Sequence, residues 1–523
     1  MKVLFIAAEC APVVKVGGLA DVVGSLPKAL QKLGVEVSII IPMYGVLDAV
    51  DRLQSTVVSN LQVHFGNRDE VVKVWQSVVP KTTIPLYLVD HPWFSAKKTV
   101  YLSPAATVES DTEVERFGLF DLAVCEFLSV LYKPDILHLH DWHTAMIPDL
   151  LRLKYHQLRQ KIKTVLTMHN IGASYQGRAG SQLFDELGIA KNDLPQLPWP
   201  KFDGINFLQS GILAADAVTT VSPSYAKEIL TQQYCAELCP ALEKRKDVLS
   251  GILNGIDYED FDPEKDPALP MRYSAANWSA GKVANKQALQ QQLGLALDPA
   301  APLFGMVTRL DEQKGIALLL KAAADGKLPL SNEQLVILGT GRPDYEERLH
   351  QWAAKHPRQV AVVSKFDAKL ASQIYAGSDF LLIPSQWEPS GLTQMIAMRY
   401  GTVPVVRKTG GLADTVKDGK TGIVFDQYSV EALVAALERA MTMYLVEKKE
   451  GTSLSRVILS ATKDLLRMQD PNKLIDASPA VQHDNVTSPS LFINLVQNCL
   501  HQDFSWAKSA KEYTALYERM YNK

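Results

Sequence analysis

The chain has 523 residues, 47% apolar and 21% charged, more than one hydrophobic core ordinarily organises, so two large domains are expected. A net charge of −3 with a pI near 6.4 offers no basic face to nucleic acid or to an acidic membrane surface. Five cysteines at positions 10, 125, 235, 239 and 499 are odd in number and scattered, which argues against a disulfide framework and for a reducing compartment.

The first eight residues read as a buried strand bearing one lysine, too short for a signal peptide or a membrane span, so the chain is expected in the cytosol. Apolar, β-rich runs at 3–7, 35–41, 84–89, 136–139, 164–168 and 217–221 alternate with helical patterns. That rhythm belongs to parallel strands with crossover helices.

Directly after the first strand stand Lys15, Val16, Gly17, Gly18, Leu19, Ala20 and Asp21. Paired glycines let a phosphate approach backbone amides at a helix start, with Lys15 adding charge, although a tight turn with a solvated lysine reads the same residues equally well. The spacing is neither the dinucleotide fingerprint nor a Walker loop, which argues against a dehydrogenase or an ATPase.

His138, His140, Asp141, Trp142 and His143 cluster at the end of the fourth run. Alternating histidines on a strand could hold zinc, but this spacing is not a common ligand set, and Asp141 with Trp142 suits sugar hydroxyls and an apolar sugar face better. His169 and Asn170 end the next run, followed by Tyr175, Gln176 and Gly177. Two polar strand ends in one half point to a site, whereas a single histidine would read as a core residue.

Asn254, Gly255 and the acidic, proline-bearing stretch 257–270 have the composition of a domain seam. The strand rhythm then restarts at 302–308, 335–338, 360–363, 380–383, 403–406 and 423–425. The expectation is an α/β chain with two tandem doubly wound Rossmann-like domains, 1–255 and 256–503, facing across a cleft, with helix 504–523 packing back on the first. A polar segment at about 448–489 reads as an insertion.

In the second half, Arg309 ends the opening strand and Lys314 with Gly315 follows. Two cations near a helix start can neutralise a departing diphosphate, each charge-assisted contact contributing about 1.5–3 kcal/mol; a charged loop is the plainer reading. Glu388 precedes Ser390, Gly391, Leu392, Thr393 and Gln394 at a helix start, so a carboxylate and free N–H groups stand side by side. Lys408 to Asp414 repeats the pattern of Lys15 to Asp21 at the matching place.

Taken together, these ordered motifs resemble the bacterial glycogen synthase and plant starch synthase family, over nearly the whole chain to Phe504, Ser505 and Trp506. The resemblance implies the glycosyltransferase-B fold and retaining transfer of glucose from ADP-glucose to the non-reducing end of an α-1,4-glucan. It implies no metal and no cofactor, ADP-glucose being a co-substrate, with the nucleotide sugar on the C-terminal domain and the acceptor on the N-terminal one. The partners it implies are ADP-glucose or ADP and an α-glucan, with no nucleic acid and no membrane. The location it implies is the cytoplasm, or a plastid stroma for a chain that has lost a transit peptide.

By the same resemblance, Lys15, Gly17, Gly18 and Asp21 belong to the diphosphate loop, and Arg309 with Lys314 stabilises leaving ADP. Asp141 and His169 surround the transferred glucose, the His169 carbonyl facing developing positive charge. Glu388 takes glucose hydroxyls, Ser390, Gly391, Leu392 and Thr393 neighbour it, Phe366 stacks on adenine, and Asn254 is an active-site amide. The chain departs from the family pattern at Val16 for threonine, Ser390 for cysteine and Phe366 for tyrosine, and in the insertion. The rival expectations are a transferase of the same fold using UDP-glucose or a small acceptor, a non-catalytic glucan-binding paralogue, and a nicotinamide oxidoreductase.

Overall fold

A computed structural model describes residues 1–47, 55–97, 99–102, 111–195, 204–328, 332–449 and 491–522. The expected insertion at about 448–489 lies outside the described residues, apart from the end of the helix Val430–Lys449. The chain divides into two compact units, Met1–Ile256 with Ser505–Lys523, and Asp257–Phe504.

The first unit carries β1 Lys2–Ile6, β2 Glu36–Pro42, β3 Ser55–Phe65, β4 Arg68–Val78, β5 Pro85–Asp90 and β6 Ile136–His140. It continues with β7 Lys163–Met168, β8 Arg178–Gly180, β9 Gly204–Asn206, β10 Ala217–Thr220 and β11 Leu249–Gly251. One nine-stranded sheet has the order β11-β10-β7-β6-β1-β2-β5-β4-β3, and β8 pairs with β9 separately. The strands read from the sequence pair in parallel, Val3 standing opposite Val37 on one side and Ile136 on the other. The antiparallel hairpin β3–β4 at the sheet edge was not anticipated, because its exposed face breaks the continuous apolar run that marks a buried parallel strand.

The second unit holds β12 Leu303–Val307, β13 Gln334–Leu338, β14 Val360–Val363, β15 Phe380–Ile383, β16 Val403–Arg407 and β17 Ile423–Phe425. These six form one parallel sheet in the order β14-β13-β12-β15-β16-β17. Both sheets reverse direction once. In the first the chain leaves β1 for β2 and later returns to lay β6 on the other side of β1; in the second it leaves β12 for β13 and returns with β15.

In the first unit the middle of the sheet contains a polar layer. His138, His140, Thr167 and Thr219 are all fully buried. His138 Nε2 meets Thr167 Oγ1 at 2.6 Å, and Thr167 Oγ1 meets Thr219 Oγ1 at 2.6 Å. The C-terminal helix Trp506–Tyr521 covers this layer. It buries Trp506, Ala510, Tyr513, Leu516, Tyr517 and Met520, the spacing of one helical face. Tyr517 Oη meets His138 Nδ1 at 2.7 Å, the Tyr513 ring packs at a tilt against the His138 ring, and Ser509 Oγ donates to the Leu253 carbonyl.

In the second unit the helix Trp278–Leu293 is tied to the sheet by buried lysines. Lys282 donates to the Ser378 carbonyl at 2.6 Å, and Lys286 pairs with Asp379 at 2.6 Å. Burial pushes the Lys282 ammonium down to about 7. Cys235 and Cys239 form a disulfide across one local turn, while Cys10, Cys125 and Cys499 are free and buried. Scattered positions argue against a framework of bridges, but a four-residue separation brings these Cα atoms within 5.2 Å without help from the rest of the fold. Among the described residues no helix is long and apolar enough to cross a membrane.

The Tyr517 contact yields a test. Tyr517→Phe keeps the ring and strands a buried histidine nitrogen, so urea unfolding should register a loss of about 1–3 kcal/mol. An unchanged midpoint would remove the hydroxyl from any structural role.

Candidate functional site

In open α/β sheets, ligands bind beyond the carboxyl ends of the strands where the strand order reverses. In the first unit that place is flanked by the loops after β1 and β6, and in the second by those after β12 and β15. Lys15, Gly17, Gly18, Asp141, Arg309, Lys314 and Glu388 stand in or beside these loops, whereas His169, Asn254 and Phe366 follow β7, β11 and β14.

After β1 the chain folds back through a Cys10–Val14 bridge and enters the helix Gly18–Gln31 with Gly17 as its N-cap. Lys15 Nζ pairs with Asp21 at 2.6 Å in a partly exposed contact. The sequence reading left the loop amides to a phosphate, and here the structure differs. Val16 N and Gly17 N both donate to Glu9 Oε2, at 2.5 and 2.9 Å, and Tyr101 Oη donates to Glu9 Oε1. A buried carboxylate therefore fixes the loop from within, and the fold-back after β1 is what delivers it. Glu9 went unnoticed in the sequence, although a lone acid directly after the apolar run 3–8 was a signal.

Asp141 follows β6 with φ 59° and ψ −173°, a backbone region that only glycine occupies freely and that costs about 1–3 kcal/mol elsewhere. Two bonds across to the neighbouring strand end hold it there. Its N–H donates to the Thr167 carbonyl at 2.9 Å, and its Oδ1 accepts from His169 N at 2.6 Å. Burial raises the Asp141 carboxyl to about 7, with the N–H groups of His169 and Asn170 pulling the other way.

The histidines have separate partners. His140 Nδ1 lies 3.0 Å from His169 Nε2, His138 meets Thr167 and Tyr517, and His143 packs between Trp142, Phe117 and Tyr101. Burial lowers all four imidazoles, His169 to about 3, so they stand neutral.

Beyond His169, the buried Gln176 donates to the carbonyls of Ile171 and Ala236 and accepts from Asn206 and Arg178. Gly177 has φ +65°, and a Cβ there would stand 2.4 Å from the Trp142 ring, so glycine is required. Asn254 is buried, with no hydrogen-bond partner for Oδ1 among the described residues.

In the second unit, Arg309 lies beside Asp311 at 3.2 Å and Gln313 at 3.3 Å, and about half of its side chain is exposed. Lys314 does more than the sequence suggested. Its Nζ reaches both oxygens of Glu388, at 2.9 and 2.6 Å, and Ser385 Oγ donates to Glu388 Oε2 at 2.9 Å. The two strand-end loops are laced by Gln313, which donates to the Trp387 carbonyl and accepts from Gln386 N. Gly315 has φ +75° and lies so close to the Pro384 carbonyl that a Cβ would fall 2.2 Å from it.

The glycine pair at 410–411 is no repeat of the one at 17–18. A Cβ on either residue would come within 2.0 Å of a backbone oxygen, Glu388 for Gly410 and Ser390 for Gly411, and Gly411 N donates to the Glu388 carbonyl at 3.0 Å. This pair holds the Glu388 loop by close packing. Ser390 is buried, its Oγ without a hydrogen-bond partner among the described residues, Gly391 takes φ +68°, and Leu392 caps the helix that begins at Thr393. Phe366 stands after β14 with 84% of its surface exposed.

Residues 2–244 match the family model for the starch synthase catalytic domain, and residues 287–453 match glycosyl transferases group 1. A glycogen synthase of Streptococcus equi subsp. equi is 42% identical over 479 residues, spanning 89% of this chain and 96% of that protein. A glycogen synthase of Thermosipho melanesiensis is 37% identical over 533 residues, spanning the whole of both. Among solved structures, the catalytic domain of starch synthase IV from Arabidopsis thaliana, bound to ADP and acarbose, superposes with a TM-score of 0.82 at 32% identity, covering 100% of this chain and 99% of that one. Sucrose-phosphate synthase from Thermosynechococcus elongatus, at 17% identity and a TM-score of 0.56, shares the fold. The fold is the glycosyltransferase-B type, and the chain belongs to the glycogen synthase and starch synthase family of glucosyltransferases.

Proposed function

We propose that this hexosyltransferase takes glucose from ADP-glucose and adds it, with retained configuration, to the non-reducing end of an α-1,4-glucan. The observation that carries the reading is the Lys314–Glu388 pair at the sheet reversal of the second unit, with Arg309 on the same loop. Two of the three ammonium donors of Lys314 are directed at Glu388, which fixes the cation in place before any ligand arrives. A preorganised cation stabilises charge on a leaving group without reorganising at the moment of reaction. The relative with ADP and acarbose bound supports a nucleotide and a glucan as ligands.

In this reading Arg309 and Lys314 neutralise the departing ADP, and no metal is needed for that task. The exposed Lys15–Asp21 pair contributes about 1 kcal/mol at most, so an arriving phosphate competes readily for Lys15. Glu388, Asp141 and His169 take glucose hydroxyls, the His169 carbonyl faces the anomeric carbon, and Phe366 offers its exposed ring to the adenine. The leaving phosphate oxygen accepts the proton of the attacking hydroxyl on the same face of the sugar.

Three measurements test the reading. Arg309→Ala, half exposed and so nearly neutral for stability, should lower kcat by about 10²- to 10³-fold, and normal turnover would refute its assignment to the leaving group. Labelled glucose should enter glycogen from ADP-glucose in preference to UDP-glucose, and should continue to do so in EDTA; the reverse donor preference, or loss of activity in the chelator, counts against the proposal.

The third concerns Asp141. The folded chain retains a proton there that the unfolded chain releases above the ordinary carboxylate range. The associated stability is therefore complete at low pH, declines as pH rises, and is lost beyond about 7. Asp141→Asn removes this titration, so its stability relative to the parent should climb by on the order of a few kcal/mol from about pH 5 to about pH 8. Parallel pH curves in urea unfolding would show that Asp141 is ionised throughout.

A further inference from the structure

His140 belongs to the polar layer of the first unit, yet it faces a residue of the proposed sugar site. Its Nδ1 lies 3.0 Å from His169 Nε2, while its Nε2 is buried and has no hydrogen-bond partner among the described residues. The ring is walled by Phe5 and by His138, whose centroid is 4.2 Å away. His138 is in turn held by Thr167 and by Tyr517 of the C-terminal helix, so the plane against which His140 rests is fixed.

One proton bridges the two imidazoles, and the buried surroundings hold both rings neutral. Two arrangements satisfy the 3.0 Å contact. If His169 Nε2–H donates, His140 must carry its own proton on Nε2, a buried donor with nothing to receive it. If His140 Nδ1–H donates, its Nε2 is a bare lone pair. An orphaned buried N–H is rarer and more costly than an under-used acceptor, so the second arrangement is favoured.

We propose that His140 is a positioning residue that donates through Nδ1 to His169 Nε2 and thereby fixes His169 as the Nδ1–H tautomer. His169 then presents an N–H donor, not a lone pair, to the ligand. Among the described residues no hydrogen bond reaches His169 Nδ1, which leaves that donor for a sugar hydroxyl. The substrate part of this inference rests on the glucosyl-transfer reading; the tautomer itself does not.

The experiment is made on the full chain labelled with ¹⁵N-histidine, using long-range ¹H–¹⁵N correlation spectra, with His169→Gln to assign the signal. His169 should show a protonated Nδ1 and an unprotonated Nε2. A protonated Nε2 overturns the proposal, whether or not the enzyme is active. Kinetics supply the second readout. His140→Phe should lower kcat roughly 10- to 100-fold with KM for ADP-glucose little changed, since misplacing a ligand-facing group acts on the transition state. His140→Asn, whose side-chain amide can donate from the Nδ1 position, should recover turnover to within about threefold of the parent. Equal loss in the two variants, both folded by circular dichroism, would make the role of His140 one of packing only and sink the proposal. Should His140→Phe fail to fold, the spectrum of the parent chain still decides. Absence of transfer from any nucleotide sugar by the parent would instead strike the functional reading and leave the tautomer test intact.

Discussion

A parallel strand can be joined to its neighbour only by a crossover that returns the chain to its starting edge, so every loop at the carboxyl end of such a sheet opens on the same side. The candidate residues of this protein depend on that constraint. Glu9, Lys15 and Asp141 in one unit, and Arg309, Lys314 and Glu388 in the other, come from loops flanking a strand-order reversal. No side chain has to travel far to meet its partner. Lys314 and Glu388 are 74 residues apart in sequence and in bonded contact because β12 and β15 are adjacent.

The two sites are built from different materials. In the first unit the charged loop is braced by a buried carboxylate, and Asp141 and His169 rest on a layer of imidazoles and hydroxyls inside the sheet. Each neutral ring accepts or donates in a fixed direction, so the layer orients without adding net charge. The C-terminal helix closes this layer, which gives the last residues of the chain a place directly behind the site. In the second unit orientation comes from an ion pair. A buried pair is a weak source of stability because desolvation offsets attraction, yet breaking it strands a charge, and that asymmetry keeps Lys314 and Glu388 in one geometry.

Glycine serves packing more than ligand approach. Gly177 admits the Trp142 ring, Gly315 admits the Pro384 carbonyl, and Gly410 with Gly411 admits the backbone of the Glu388 loop. At each of these a side chain would force apart two segments that must touch. Gly17 is the contrast, with open space where a Cβ would stand.

Residue order alone carries twelve of the parallel strands and the polar residues that end them, because burial on both faces leaves a continuous apolar run that stops where the strand stops. It did not reveal the β3–β4 hairpin, whose exposed face carries no such imprint, nor the Cys235–Cys239 bond. Which polar residues face one another is settled by the way the strands and helices pack. Glu9 under the glycine loop, His140 against His169, Tyr517 on His138 and Lys314 on Glu388 are contacts across 8, 29, 379 and 74 residues. Separations of that kind are set by strand order and helix docking, and a linear pattern of residue types holds no record of them.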